Sequence, residues 1–585
     1  MSEALLNQAA YFLQRGDLPR AEAIFREVLR HDPLNFEACD ALATVLAQRG
    51  RAGEAASFFE VALKMKPDDA IAHSNYGGVL DALGRRQEAL EQYERALAIQ
   101  PDFVDAILNR AAALCALGRP GEALESLDPL IAREPRNVFA LYNRSVALSG
   151  LERFEDAVQA CDAVLAVDPN YADAWHNRGV ALYRLQRHAE AVESYDRAIR
   201  LTPGVIQIHI NRGTALATLA RYPEAMAAYD RALGLDPGSA YAWFNRGVML
   251  TEMKRIEDAI KSYEIALSLA PDYAQADYNR ALCLMQLGRL EEGYKGYEAR
   301  RRMLVEPAVY PQTVWSGEDV AGKTLLVRGE QGLGDIIQFS RYIRLLQERG
   351  TKVILMVQPH MMRLLGSLQP KPQIIAWNDV PTAFDHHIAL ESLPGMFRSR
   401  LDTIPASIPY LAAEPALVEK WKNRLGEGGF KIGIAWRSSV HGASIGKTFS
   451  PAHFEALAKI PGVRLISLQK ADESAELNDL PPGMMVEKLG ADFDAGPDAF
   501  ADSAAVMQSL DLVISSDTGL AHLAGALGRP VWVALKRVPD WRWMLDRADT
   551  PWYPTMRLFR QTAPGDWASV FAQIEAAMPK VMRPV

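Results

Sequence analysis

A proline returns every 34 residues through the first half of this 585-residue chain, at Pro33, Pro67, Pro101, Pro135, Pro169, Pro203, Pro237 and Pro271. Alanine keeps the same interval at Ala21, Ala55, Ala89, Ala123, Ala157, Ala191, Ala225 and Ala259. A fixed period of this length marks a repeat array, in which one unit cannot bury its own apolar face and must stack on its neighbours. Small residues at one phase permit close helix contact, and proline at another ends a helix and turns the chain. Counted from Ser2, nine units fit before the phase is lost near Pro307. The rest of the chain exceeds any loop, so further domains are expected.

Segments such as ADAWHNRGVALYRLQRHAEAVESYDRAIRLTP, residues 172–203, resemble the tetratricopeptide repeat almost throughout. The resemblance implies helix–turn–helix units stacked into an α-solenoid whose first helices face a groove. Asn75, Asn109, Asn143, Asn177, Asn211, Asn245 and Asn279 occupy one phase in seven consecutive units, with Asn7 matching in the first and Ala41 breaking the series. Each amide offers an acceptor and a donor, which together match a peptide bond. At about 0.5–1.5 kcal/mol net per hydrogen bond, several such pairs hold an extended polypeptide without reading its side chains. The alternative is that asparagine simply belongs to the repeat. The arginine that follows in six units, Arg110 to Arg280, reads mainly as scaffold, with acidic partners as a second option.

The 64 basic against 72 acidic side chains give a net charge of −8, which argues against a protein built for nucleic acid or an anionic membrane. No apolar run approaches the ~18 residues of a membrane span. The four cysteines, Cys39, Cys115, Cys161 and Cys283, lie scattered in helical patterns, so neither a disulfide framework nor a zinc cluster is indicated and a cytoplasmic location is expected.

Beyond residue 302 the pattern changes. Residues 303–322 read as a connector. The apolar run KTLLVR (323–328), the turn GEQGLGD (329–335), a helical pattern to Arg349 and a second run KVILMV (352–357) make a βαβ unit. Its glycine-rich turn sits where open α/β sheets bind ligands. It lacks G-x-G-x-x-G and any ATPase P-loop, with Gly329, Gly332 and Gly334 as its glycines. Asp335 stands at the helix start, either as an N-cap or as a base whose pKa the positive helix end lowers below the usual ~3.9. In FDHHIAL (384–390) one of two adjacent histidines faces each side of a strand, and His387 is expected toward the cleft.

A helical linker at 414–426 leads to a second set of runs, FKIGIAW (430–436), residues 463–468, 512–514, 531–535 and 556–560, with a final helix from Trp567. The loop after the first, 437–451, is basic, and Lys447 in it is a candidate phosphate cation beside Arg437. Gln469 and Lys470 end the next strand at the ligand edge. The stretch DLVISSDTGLAHLAGALGRP (511–530) then carries a strand into a helix through Ser516, Asp517, Thr518 and Gly519, with His522 on the first turn. Free N–H groups at such a junction attract phosphate, and His522 adds a donor to the anion as a candidate catalytic residue beside Asp335 and Lys447. The plain alternative is a capped core helix with a satisfied histidine. DFD (492–494) superficially matches a metal-holding DxD but follows no strand, so no metal is expected.

Here the resemblance becomes specific. DTGLAHLAGALGRP is similar to the donor-site motif of bacterial lipopolysaccharide heptosyltransferases, Lys447 to that family's phosphate-binding lysine, and GLGD to its acceptor-side motif, whose aspartate is the proposed base, here Asp335. The resemblance implies a metal-independent, two-lobed GT-B-like fold binding a nucleotide sugar. Fusion to tetratricopeptide repeats resembles protein O-GlcNAc transferases, in which an asparagine ladder holds the polypeptide, and bacterial enzymes that modify flagellin in the cytoplasm. The catalytic motifs depart from those of O-GlcNAc transferases, so UDP-GlcNAc is not implied; the donor stays open among CMP-, UDP-, GDP- and ADP-linked sugars.

The expected architecture is thus α + α/β: a repeat solenoid at 1–307, a connector at 308–322, an acceptor-side Rossmann-like lobe at 323–413, a linker at 414–427 and a donor-side lobe at 428–585. The expected activity is transfer of a sugar to Ser or Thr of a polypeptide held by the repeats. A glycolipid transferase and a non-catalytic scaffold or chaperone are the alternatives.

Overall fold

The computed structural model describes residues 2–303, 310–330, 332–381, 383–438, 446–470 and 475–582. The expected end of the repeats near Pro307 and the middle of the basic loop, 439–445, lie outside these. The fold is α + α/β, a run of paired helices followed by two parallel sheets. Two compact units divide the chain at Met1–Gly238 and Ser239–Val585.

The first unit is built of helix pairs, from Ser2–Gln14 with Leu18–His31 to Ile206–Thr218 with Tyr222–Leu235. Side-chain caps open several first helices: Asn35, Asp69 and Asn137 accept the backbone N–H groups of Ala38, Ala72 and Ala140. Second helices stop one residue short of the position before each periodic proline, as Leu18–His31 stops before Asp32-Pro33, because that position is disfavoured in helix. The periodic alanines Ala21, Ala55, Ala89, Ala123, Ala157, Ala191 and Ala225 are all 0% exposed, so the helix axes close to contact there. The arginines after the asparagines are scaffold. Arg144 bonds Asp128 at 2.9 Å, Arg178 bonds Asp162 at 2.7 Å and Arg212 bonds Asp196 at 2.6 Å, each tying a first helix to the preceding second helix.

The second unit opens with two more helix pairs, Ala240–Glu252 with Ile256–Leu269 and Ala274–Gln286 with Leu290–Tyr297. Strands β1 (Thr313–Val314), β2 (Thr324–Arg328), β3 (Lys352–Val357), β4 (Gln373–Ala376) and β5 (His386–Ala389) form a parallel sheet in the order β1-β5-β2-β3-β4. Strands β6 (Phe430–Ala435), β7 (Val463–Ser467), β8 (Leu512–Ser516), β9 (Val531–Leu535) and β10 (Met556–Arg560) form a second, in the order β10-β9-β8-β6-β7. Both orders reverse direction once, between β2 and β5 and between β6 and β8. Open α/β sheets bind ligands at the carboxyl ends flanking such a reversal.

Two expectations change. The stretch taken as a connector supplies β1, which extends the first sheet by pairing Thr313 with His386 and Val314 with His387. The compact division falls at Gly238, because the last repeat shares a core with the sheets: Ala281, Met285, Tyr294 and Tyr297 join Leu325, Ile336, Phe339, Trp541 and Trp552 in one cluster. Strand β4 and the helix Ala501–Met507 carry too weak a pattern to be read from the sequence.

Adjacent glycines in the helix Ala70–Ala82 test the packing rule. A Cβ on Gly77 would lie 2.5–2.9 Å from three ring atoms of buried Tyr93, whereas one on Gly78 meets only the Tyr93 hydroxyl at 3.9 Å. Gly77→Ala is expected to destabilise the first unit by about 1–3 kcal/mol through overpacking. Gly78→Ala is expected to stabilise it by about 0.5–1 kcal/mol through helix propensity. Urea unfolding followed by circular dichroism separates the two; equal signs would refute the close contact.

Candidate active site

At the second sheet's reversal, Ala435 of β6 pairs with Ser515 of β8, and both strands run out at the same edge. From β8 the chain passes through Ser516, Asp517 and Thr518 into the helix Gly519–Ala526. Thr518 occupies the N-cap, but its hydroxyl lies 3.1 Å from that of Ser515, and its side chain makes no cap bond. The Ser516 hydroxyl is fully buried without a hydrogen-bond partner among the described residues. Lys447 reaches Asp517 at 2.6 Å. Burial opposes its charge, but Asp517 and Asp540 outweigh that and hold its pKa above that of an ordinary lysine. Arg437 lies at the end of β6, half-exposed, its guanidinium 3.4 Å from Glu476 and its backbone N–H donating to Gln469 at 3.2 Å. Lys470 is exposed beside buried Gln469.

At the first sheet's reversal β2 ends in Gly329-Glu330, and Gly332 is the N-cap of the helix Leu333–Phe339. Asp335 therefore sits inside the helix, and it is not the cap. Its Oδ1 accepts a hydrogen bond from Arg542 Nη2, which comes from the loop after β9. Its Oδ2 lies over Gly332, where a Cβ would clash with it. The helix end was expected to lower this carboxyl. Burial instead pushes it above the usual range, against the opposing pull of Arg542 and with support from Asp540 and Glu330.

The two edges meet. A Cβ on Gly334 would lie 3.0 Å from His522 Cδ2 and 3.5 Å from Gly519 Cα, so glycine at 334 allows the helices Leu333–Phe339 and Gly519–Ala526 to touch at their first turns. His522 is 5% exposed, its Nδ1 3.0 Å from the Tyr553 hydroxyl and its ring stacked on Trp543 at 5.2 Å. Burial, reinforced by Arg542, depresses its pKa far below 6.5 and keeps the imidazole neutral. Asp335, Lys447, Asp517, Gly519 and His522 thus belong to one locality.

Three groups lie elsewhere or have other partners. His387 pairs in register with Leu326 and is buried against Tyr310 at 5.3 Å, on the sheet face opposite the one that packs the helix Leu333–Phe339. The expected cleft orientation of His387 is therefore corrected: the alternation that turns it from solvent also turns it from Asp335. The DFD aspartates are structural, Asp494 accepting from Asp502 N and the Ser503 hydroxyl, and Asp492 pairing with Arg424 at 2.7 Å. Among the described residues no cluster of three or more His, Cys, Asp or Glu is placed to hold a metal. Of the ladder, Asn75 and Asn109 are exposed and Asn143, Asn177, Asn211, Asn245 and Asn279 half-exposed. Asn143 donates to the Leu108 carbonyl at 3.1 Å and Asn211 lies 2.9 Å from His176 Nε2, so some of these amides also bridge neighbouring first helices.

Sequence reasoning missed Arg542 and Asp540, although both stand in an aromatic run at a strand's carboxyl end, a position where buried charges call for partners. It also missed Phe500, held at φ 66° with its ring 3.0 Å from where a Gly519 Cβ would be.

A neutral buried histidine has a pH signature. Below its ordinary value of ~6.5 the unfolded chain binds a proton that folded His522 refuses, so this group's contribution falls with falling pH, by up to about 1.4 kcal/mol per unit. His522→Gln is expected to flatten the stability–pH slope between about pH 6.5 and pH 5. Urea midpoints read by tryptophan fluorescence check this, and an unchanged slope counts against a neutral His522.

Residues 6–70, 41–102, 80–144, 142–206, 206–239 and 240–273 match tetratricopeptide repeat families, and residues 409–535 match Glycosyltransferase family 9 (heptosyltransferase). Protein FlbA of Caulobacter vibrioides is 29% identical over 293 residues, covering 46% of this chain and 48% of that protein. The chain thus spans about half the length of the curated relative it matches. Among solved structures, a tetratricopeptide repeat protein from Parabacteroides merdae is 17% identical, covering 43% of this chain and 98% of its own, with a TM-score of 0.37. A thermophilic tetratricopeptide repeat protein of Thermus thermophilus is 27% identical, covering 31% of this chain and 99% of its own, with a TM-score of 0.28. No helix among the described residues is long and apolar enough to cross a membrane. A family 9 domain implies a nucleotide-sugar donor. The chain joins tetratricopeptide repeats to a glycosyltransferase family 9 domain.

Proposed function

We propose that the chain is a cytoplasmic, metal-independent protein O-glycosyltransferase of the GT-B type. The repeats hold the acceptor polypeptide, with flagellin among the candidates, and offer a Ser or Thr hydroxyl to the site between the two sheets. The observation that carries this reading is the packing of the last repeat against the site. Gln286 donates to the Pro539 carbonyl at 2.8 Å, and Tyr294 and Tyr297 pack edge-on against Trp541, the residue beside Arg542. A repeat built into the wall of the transferase favours a polypeptide acceptor over a glycolipid.

In the proposed reaction the hydroxyl oxygen attacks the anomeric carbon as the bond from that carbon to the donor phosphate breaks. Asp335 receives the hydroxyl proton; a base raised toward neutrality by burial suits that task. The departing nucleotide phosphate is met by Lys447, Arg437 and the helix start at Thr518-Gly519, groups fixed before the charge develops. Ser516 and Asp517 complete that edge, with Gln469 and Lys470 beside the nucleotide. His522 holds the helix against Tyr553 and Trp543. Gly332 and Gly334 keep space at the acceptor side, and the asparagines from Asn75 to Asn279 contact the polypeptide main chain.

Two measurements test the reading. Thermal-shift screening with UDP, GDP, ADP and CMP is expected to single out one nucleotide, since a ligand at 100 times its Kd adds about 2.7 kcal/mol. Intact-mass comparison of the source cell's proteins is expected to show a glycan mass lost from an acceptor when Asp335→Asn or Lys447→Ala replaces the wild type. Loss from a glycolipid fraction alone would favour lipid transfer, and no nucleotide response with unchanged masses would leave a scaffold.

A further inference from the structure

We infer that Arg542 is a positioning residue for the proton-accepting carboxylate: it takes one oxygen of Asp335 and leaves the other to the acceptor hydroxyl. The inference rests on the reading of Asp335 as the base. Each of the three guanidinium nitrogens of Arg542 makes one hydrogen bond: Nη2 to Asp335 Oδ1, Nη1 to Asp540 Oδ1 at 2.7 Å and Nε to the Gln338 side-chain oxygen at 2.6 Å. Its plane is held near Trp541, 4.6 Å from the ring centre, and Phe339, at 5.7 Å. The side chain is 9% exposed.

The two oxygens of Asp335 are therefore unequal. Oδ1 is anchored by the guanidinium, while Oδ2 lies over Gly332, where a side chain would clash with it. A planar fork with three fixed partners sets the carboxylate's rotation, which a lysine's point charge does not. The charged and titratable groups that face Asp335 come from every neighbouring element: Arg542 and Asp540 from the loop after β9, Glu330 after β2, Glu391 after β5, Lys447 from the basic loop, and Tyr278 and Tyr297 from the last repeat. Asp540 and Glu330, with burial, favour the protonated acid, which accepts no proton. Arg542 is the principal opposing charge, and it favours the carboxylate form.

The test uses the full chain. Isotope-edited infrared titration of labelled aspartate, assigned by subtraction of Asp335→Asn, follows the Asp335 carboxyl without any reaction. Arg542→Gln is expected to raise its ionisation midpoint by about one pH unit or more, and Arg542→Lys to restore it to within about half a unit. An unmoved midpoint in Arg542→Gln overturns the inference. In the transfer assay, Arg542→Gln is expected to shift the acidic limb of the pH profile upward, while Arg542→Lys keeps the limb but transfers at least tenfold more slowly at every pH. If Arg542→Gln does not fold, Arg542→Lys decides alone, and wild-type transfer by it overturns the positioning role. Transfer by Asp335→Asn at the wild-type rate, with the titration as expected, overturns the base reading and with it the catalytic meaning of Arg542, while the electrostatic link itself stands.

Discussion

A buried guanidinium is costly to place, and the second unit is arranged around one. Taking an ion out of water costs several kcal/mol unless its hydrogen bonds are replaced, and removing one partner of a buried pair costs about 3–5 kcal/mol. Arg542 satisfies that demand with Asp335 and Gln338 from the first sheet's helix and Asp540 from its own loop. The loop carrying it is fixed in turn by Trp541, which meets Tyr294 and Tyr297 of the last repeat, Phe339 of the first lobe and Trp552 of the second. A second buried arginine repeats the device. Arg341, 4% exposed, donates from the first lobe to the Trp552 carbonyl at 2.6 Å and to the Tyr410 hydroxyl at 3.1 Å. Moving either lobe would break the Arg542 bonds to Asp335 and Gln338 and the Arg341 bond to the Trp552 carbonyl, so electrostatics joins apolar packing in setting where the two ligand edges meet.

That constraint explains why glycine and small residues collect at the junction. Two helices arriving from opposing sheets approach closely at Gly334, which meets His522 and Gly519, while Gly519 leaves room for the Phe500 ring of its own lobe. Gly332 serves differently, since it makes room for a carboxylate and not for a helix. A Cβ on Gly329 would lie 3.1 Å from the Ile336 side chain, so the glycines of 329–335 meet three separate steric requirements, none at a positive φ.

The repeat array was legible because its signal is redundant: eight prolines and eight alanines at one period leave no second interpretation. The central strands were legible for a related reason, since a parallel strand buried on both faces reads as a continuous apolar run, as in VWVAL of β9. Strand β1 was not, because two exposed residues, Thr313 and Val314, carry no burial pattern and exist as a strand only through β5. The orientation of His387 was not, because alternation gives two faces and no local cue says which one the crossing helix covers. Arg542 was hidden for a deeper reason. Its partners Asp335 and Gln338 lie 207 and 204 residues away, and a charge's need for a partner does not name the partner.

The same pairing logic bears on how an anionic donor is received. Lys447 and Arg542, two cations beside the junction, already hold carboxylates, at 2.6 Å from Asp517 and at Asp335 and Asp540. A diphosphate entering there gains little from charges so committed unless it displaces a carboxylate, at the cost of leaving that carboxylate unpaired. Arg437 is held more loosely, 3.4 Å from a Glu476 that is 41% exposed, and water screens that pair. Its guanidinium can leave Glu476 at small cost. In the proposed transferase, Arg437 and the backbone N–H groups are therefore the donors least committed to a carboxylate.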